Sequence, residues 1–163
     1  MIFVIGGSAQ GKREFAERTF GAGRKVRWTD GAAASFEEMM EAEFADHVHC
    51  FCQRILRGEI SMEELSGEIS AGAISEGEEN AGQKPDHQKP ASQITSSLET
   101  LAARMKEARP DRVVVGDETG CGIVPLDPEL RRIREETGRM FCRMAKEADQ
   151  VWRVTCGIGQ RIK

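Results

Sequence analysis

The chain has 163 residues, 39% of them hydrophobic and 31% charged, with a formal net charge of −4. That length builds a single domain, residues 1–163, with a core of useful size. The acidic balance argues against nucleic acid or an anionic membrane surface as partner, and no apolar run approaches membrane-spanning length.

An apolar strand pattern begins at the extreme N-terminus in place of a signal peptide, so a cytoplasmic location is expected. The five cysteines are an odd number without any CxxC pair, and free thiols are expected. Ile2, Phe3, Val4 and Ile5 run unbroken into Gly6 and Gly7, the pattern of a strand buried on both faces. Gly6, Gly11 and Lys12 then have the GxxxxGK spacing of a phosphate-binding loop. In such a loop glycines let backbone N–H groups turn inward around a phosphate. The next helix points its positive end at the anion, and the lysine reaches the outer phosphates. The other reading is a glycine-rich strand-to-helix turn without a ligand. Arg13 stands where the motif has the Ser or Thr that contacts Mg²⁺.

Phe15, Ala16, Thr19 and Phe20 carry the apolar stripe of a helix closed by Gly21 and Gly23, and residues 25–29 alternate as a short strand. Asp30 follows it. An aspartate just past a strand end is where a carboxylate would hold Mg²⁺, so Asp30 is the candidate metal residue; a turn aspartate before glycine is the equal alternative. Ser35 with Glu38 forms a capping box. Phe36, Met39, Met40, Phe44, Val48, Phe51, Cys52, Ile55 and Leu56 recur at spacings of three and four, which predicts one long core-facing helix stopping at Gly58. His47, His49, Cys50 and Cys52 fall within it without a fourth ligand or a second distant pair, so ordinary packing is favoured over zinc.

Ser61 with Glu64 opens a short helix through Leu65 and Ile69. Residues 70–92 are rich in Gly, Ser, Glu, Gln, Lys and Pro and are expected to be a disordered loop. Ile94, Leu98, Leu101, Ala102 and Met105 mark another amphipathic helix. Val113, Val114 and Val115 form a second buried strand, which delivers Gly116, Asp117, Glu118, Thr119 and Gly120 to the edge where open α/β sheets bind ligands. Asp127 caps a helix with Pro128 at its first position, and Arg131, Arg132, Arg134 and Arg139 are expected mostly on its solvated faces. Residues 150–156 read as a last strand and 157–163 as a tail. Strands alternating with helices predict an α/β fold with a mainly parallel sheet and helices on both faces.

Two stretches, GGSAQGK near the start and ETGCGIVP with the helix and tail behind it, resemble the adenosylcobinamide kinase/adenosylcobinamide-phosphate guanylyltransferase family of cobalamin biosynthesis. Glu118, Gly120, Gly122, Ile123, Val124 and Pro125 match its N-E-x-G-x-GIVP segment, with Asp117 in place of Asn. Gly138 and Arg139 match its R-x-x-x-G-R helix, and Gly157 and Lys163 its tail; the middle of the chain lacks the family's motif around its guanylylated histidine.

The resemblance implies a P-loop NTPase-like fold that binds GTP or ATP, with Mg²⁺, and a cobinamide-type acceptor. The family phosphorylates the aminopropanol hydroxyl of adenosylcobinamide, then transfers GMP from GTP through a guanylylated histidine. By that likeness Gly6, Gly7, Ser8, Ala9, Gln10, Gly11 and Lys12 would cradle the phosphates, with Arg13 beside them. Lys12 would stabilise charge on the transferred group, Glu118 would sit near substrate or metal, and His47, with His49 close by, is the candidate acceptor histidine. A non-catalytic or regulatory GTP/ATP-binding homologue stays open, because the Arg13 guanidinium can neutralise phosphate without metal. So do a small-molecule kinase with another acceptor and a homo-oligomer.

Overall fold

The computed structural model describes residues 1–60 and 91–163. The short helix expected from Ser61, and the loop expected at 70–92 up to residue 90, lie outside them. Among the described residues six strands form one sheet: β1 (Ile2–Gly6), β2 (Trp28–Asp30), β3 (Phe44–Asp46), β4 (Val113–Asp117), β5 (Gln150–Thr155) and β6 (Ile158–Arg161). Their order is β2-β3-β4-β1-β5-β6, and every neighbouring pair is parallel except the β5–β6 hairpin. The α/β architecture with a mainly parallel sheet is the expected one.

Alternation along the strands divides the core in two. Phe3 and Val114 face one apolar cluster, whereas Val4, Val113 and Val115 face the other. The second face is covered by α1 (Lys12–Phe20), which seats Phe15 and Ala16 against Val4 and Val154. The first face takes α2 (Phe36–Glu41), α3 (Val48–Leu56), α4 (Ala91–Ala108) and α5 (Pro128–Glu147), with Phe3 and Phe141 meeting edge to face at 5.2 Å. Asp127 caps α5 as its sequence position predicts, accepting from the Leu130 N–H.

The single helix expected over residues 36–56 is two helices with β3 between them. The capping box does start α2: Ser35 Oγ accepts from the Glu38 N–H, and the Glu38 carboxylate accepts from the Ser35 N–H. The chain leaves the helix at Ala42, which is extended. The carbonyls freed at that end are taken from far away in sequence: Arg112 donates to Met39 O (3.0 Å) and Met40 O, and Arg109 donates to Glu41 O (2.9 Å). Phe44 and Ala45 then pair with β4, and His47, with a left-handed φ of 49°, turns the chain into α3. Apolar spacing runs through the break because both faces of the sheet are covered, so an apolar residue is buried whichever face it takes. Phe44 faces the second cluster, while Met39 and Val48 face the first.

The expected tail at 157–163 is also different. Most of it is β6, and Lys163 Nζ donates to the carbonyls of Ala145, Lys146 and Ala148 at 3.0, 2.7 and 2.7 Å, capping the end of α5.

Candidate functional site

The strand order reverses between β1 and β4, because the chain leaves β1 through α1 toward β2 and leaves β4 through α5 toward β5. The crevice at the carboxyl ends of such a pair is where open α/β sheets take ligands. Here it gathers residues 6–12 and 117–126. The Glu118 N–H donates to Gly6 O (2.9 Å), so the glycine loop and the acidic turn open on the same edge of the sheet.

The loop is built against the β5–β6 turn. Gly11 has φ 76°, and a Cβ there would lie 3.1 Å from Gly157 Cα; a Cβ on Gly6 would lie 2.3 Å from Val154 O. Both positions therefore need glycine. Gln10 holds the turn twice, its side-chain oxygen accepting from the Cys156 N–H (2.7 Å) and its carbonyl from the Gly157 N–H (2.8 Å). Arg18 donates to Gly157 O (3.3 Å) from the next turn of α1.

Lys12 is 6% exposed. Its ammonium donates to Gly7 O and meets Asp117 Oδ1, both at 2.6 Å. Burial pushes the Asp117 carboxyl up, but the bond and charge of Lys12, with His49 and the Ser8 hydroxyl, outweigh it and hold the group below its ordinary value. The Asp117 N–H donates to His49 Nδ1 (3.1 Å), which places the proton of the neutral ring on Nε2. Burial lowers the His49 pKa, opposed by Asp117 and reinforced by His47 and Lys12, so this imidazole is neutral at pH 7.

His47 sits farther along the same edge. Its Nδ1 lies 2.9 Å from Asp30 Oδ1, and its backbone N–H donates to Asp46 Oδ1 (2.7 Å). The His47 and His49 rings meet edge to face at 5.8 Å. Asp30 is on β2, three strands from β1, and is fixed by the Ala32 N–H (2.9 Å). That hydrogen bond, against some burial and with help from His47 and Arg13, lowers its pKa. The carboxylate beside Lys12 is therefore Asp117, while Asp30 orients His47. Arg13 lies 4.9 Å over the Trp28 ring, which turns its guanidinium toward β2.

Among the described residues no group of three or more His, Cys, Asp or Glu side chains is arranged to hold a metal ion. Magnesium does not require such a cage: it takes one or two carboxylates together with phosphate oxygens and water, and Asp117 fits that donor set. The five cysteines are all free, as expected.

Arg134, expected on a solvated face, does something else. It donates to the carbonyls of Thr119, Gly120 and Gly122 at 2.7, 2.7 and 3.1 Å, gathering the turn after β4 onto α5. Spacing shows that an arginine lies on a helix but not that a glycine-rich turn returns over it. Glu118 faces Arg153 at 3.7 Å and accepts from Cys121 Sγ at 3.2 Å. The same turn leaves Ile123 97% and Leu126 96% exposed. Ile123, Leu130 and Arg134 line a cavity of about 290 Å³ there. A larger concavity of about 490 Å³ lies beside β2, where Asp30, Glu38, Glu41 and Glu43 outnumber Arg27 and Arg109 and disfavour a polyphosphate.

A glycine loop between a central parallel strand and the following helix, at the point where strand order reverses, defines an α/β fold of the P-loop NTPase-like class. A family model described as cobinamide kinase / cobinamide phosphate guanyltransferase matches residues 69–162, and the chain belongs to that family. It is 39% identical over 70 residues to the bifunctional adenosylcobalamin biosynthesis protein CobU of Salmonella typhimurium, and 36% identical over 70 residues to the protein of that name from Escherichia coli. Each match covers 43% of this chain and 39% of the relative's length. The family-model match contains β4, Asp117, the turn held by Arg134, α5 and the β5–β6 hairpin, whereas the glycine loop lies outside it.

Proposed function

We propose that the chain is an adenosylcobinamide kinase/adenosylcobinamide-phosphate guanylyltransferase-type enzyme of the cytoplasm, binding GTP or ATP with Mg²⁺ and a cobinamide-type acceptor. One observation carries this reading. The glycine loop of residues 6–12 and the family-matched turn at 117–126 share the crevice between β1 and β4, joined by the Glu118 N–H to Gly6 O bond.

In this reading the amides of Gly7, Ser8, Ala9, Gln10, Gly11, Lys12 and Arg13 face the phosphates, and the start of α1 adds its positive end. Lys12 neutralises charge on the transferred phosphoryl group, the largest service such a catalyst renders. Asp117 is the nearest carboxylate for Mg²⁺, and Glu118, next to it at the end of β4, is the residue the family resemblance puts near substrate or metal. Asp30 holds His47 through Nδ1 and leaves Nε2 as the nitrogen able to attack the α-phosphate of GTP, breaking the bond to the β-phosphate and releasing pyrophosphate. The exposed Ile123 and Leu126 give the acceptor an apolar wall.

A second reading, a non-catalytic or regulatory nucleotide-binding homologue, is favoured by Arg13, which brings no hydroxyl to a metal and turns toward Trp28. A small-molecule kinase with another acceptor shares the same cradle. Incubation with cobinamide and either ATP or GTP separates the first reading from the other two. Phosphorylated cobinamide supports the enzyme, and nucleotide binding without turnover of cobinamide supports the homologue or a kinase with another acceptor. Labelled GTP extends the test: an acid-labile, base-stable protein label lost in His47→Ala but kept in His49→Ala marks His47 as the guanylyl acceptor.

A further inference from the structure

Resting on that nucleotide-binding reading, we propose that Asp117 couples nucleotide binding to a divalent cation, holding Lys12 until a polyphosphate takes the lysine and then requiring a cation between itself and the phosphates. Lys12 is buried, and its ammonium has two acceptors at 2.6 Å, Gly7 O and Asp117 Oδ1. A phosphate reaches that ammonium only by replacing or sharing Asp117, because the charge-assisted contact is already short.

The backbone that carries this carboxylate is held in place. Asp117 is in parallel register with Gly6, its N–H is held by His49 Nδ1 at 3.1 Å, and Glu118 is tied to Gly6 O. A polyphosphate entering the loop therefore meets a fixed negative charge in a half-buried position, where repulsion is poorly screened. Arg13, the other cation of the loop, is stacked on Trp28 at 4.9 Å. A divalent cation removes the conflict by taking Asp117 as one ligand and phosphate oxygens as others. An asparagine at this position carries no charge, releases Lys12 and offers an N–H to phosphate.

The test is calorimetric titration of the intact chain with GTP and with ATP, in magnesium and in EDTA, alongside Asp117→Asn. Wild type is expected to bind about tenfold or more tightly with magnesium than with EDTA, and Asp117→Asn to bind in EDTA nearly as tightly as wild type does with magnesium. Wild-type affinity unchanged by EDTA, or an unchanged magnesium dependence in Asp117→Asn, overturns the proposal. A wild type that binds neither nucleotide under either condition removes the nucleotide-binding reading and this inference together. Should Asp117→Asn fail to fold, Mn²⁺ resonance on wild type decides: the bound-ion signal is expected only after nucleotide is added, and Mn²⁺ bound equally without nucleotide overturns the coupling.

Discussion

Lys12, Asp117 and His49 form a chain of contacts in which each group fixes the next. Removing the ammonium with Lys12→Met is expected to lower phosphoryl transfer by about 10²–10³-fold, measured as turnover under saturating nucleotide. His49 gives a signature in pH. Above about pH 6.5 its ring is neutral in both the folded and unfolded chain. Below that value the unfolded chain takes the proton first, because burial lowers the folded pKa, so stability falls as pH drops until the folded value is passed. Urea midpoints between about pH 7.5 and 5.5 are therefore expected to fall further in wild type than in His49→Gln, which keeps an acceptor for the Asp117 N–H. Identical pH slopes in the two proteins would remove His49 from the chain.

At the level of elements, the turn between β5 and β6 is the support on which the glycine loop rests. Gln10→Ala leaves the Cys156 N–H without its partner and is expected to weaken nucleotide affinity more than it lowers the thermal midpoint. Lys163→Met removes the donor for three carbonyls at the end of α5 and is expected to cost about 1 kcal/mol by urea unfolding, with nucleotide affinity unchanged. The elements were unequally legible in sequence. β1 and β4 announce themselves as unbroken Ile/Val-rich runs ending in glycine, and the Asp127-Pro128 pair states where α5 begins. β3 is hidden, because Phe44 and Ala45 gain their pairing from β4 and α2 has its end carbonyls taken by Arg109 and Arg112, nearly seventy residues on in sequence or more. Likewise Lys12, Gly6 and Gly11 could be read from spacing alone, but the partnership of Lys12 with Asp117, and of Asp30 with His47, comes from strand order.

For the whole molecule, the sheet places the glycine loop, the proposed nucleotide cradle, at its centre and an exposed apolar turn on one lip. Ile123→Asp is expected to raise the KM for a cobinamide-type acceptor about tenfold or more without changing nucleotide affinity, since burying even one apolar side chain is worth about 1.5–3 kcal/mol. An unchanged acceptor KM would place the acceptor elsewhere. No helix among the described residues is long and apolar enough to cross a membrane. The most direct measurement is of the backbone amides themselves, by nuclear magnetic resonance of the labelled chain titrated with GTP and with ATP in magnesium. The largest shifts are expected at residues 7–12, 117 and 118, and in Lys12→Met they should appear only at higher nucleotide concentration. Shifts confined to the concavity lined by Trp28 and Glu38, or none with either nucleotide, would contradict a phosphate cradle between β1 and β4.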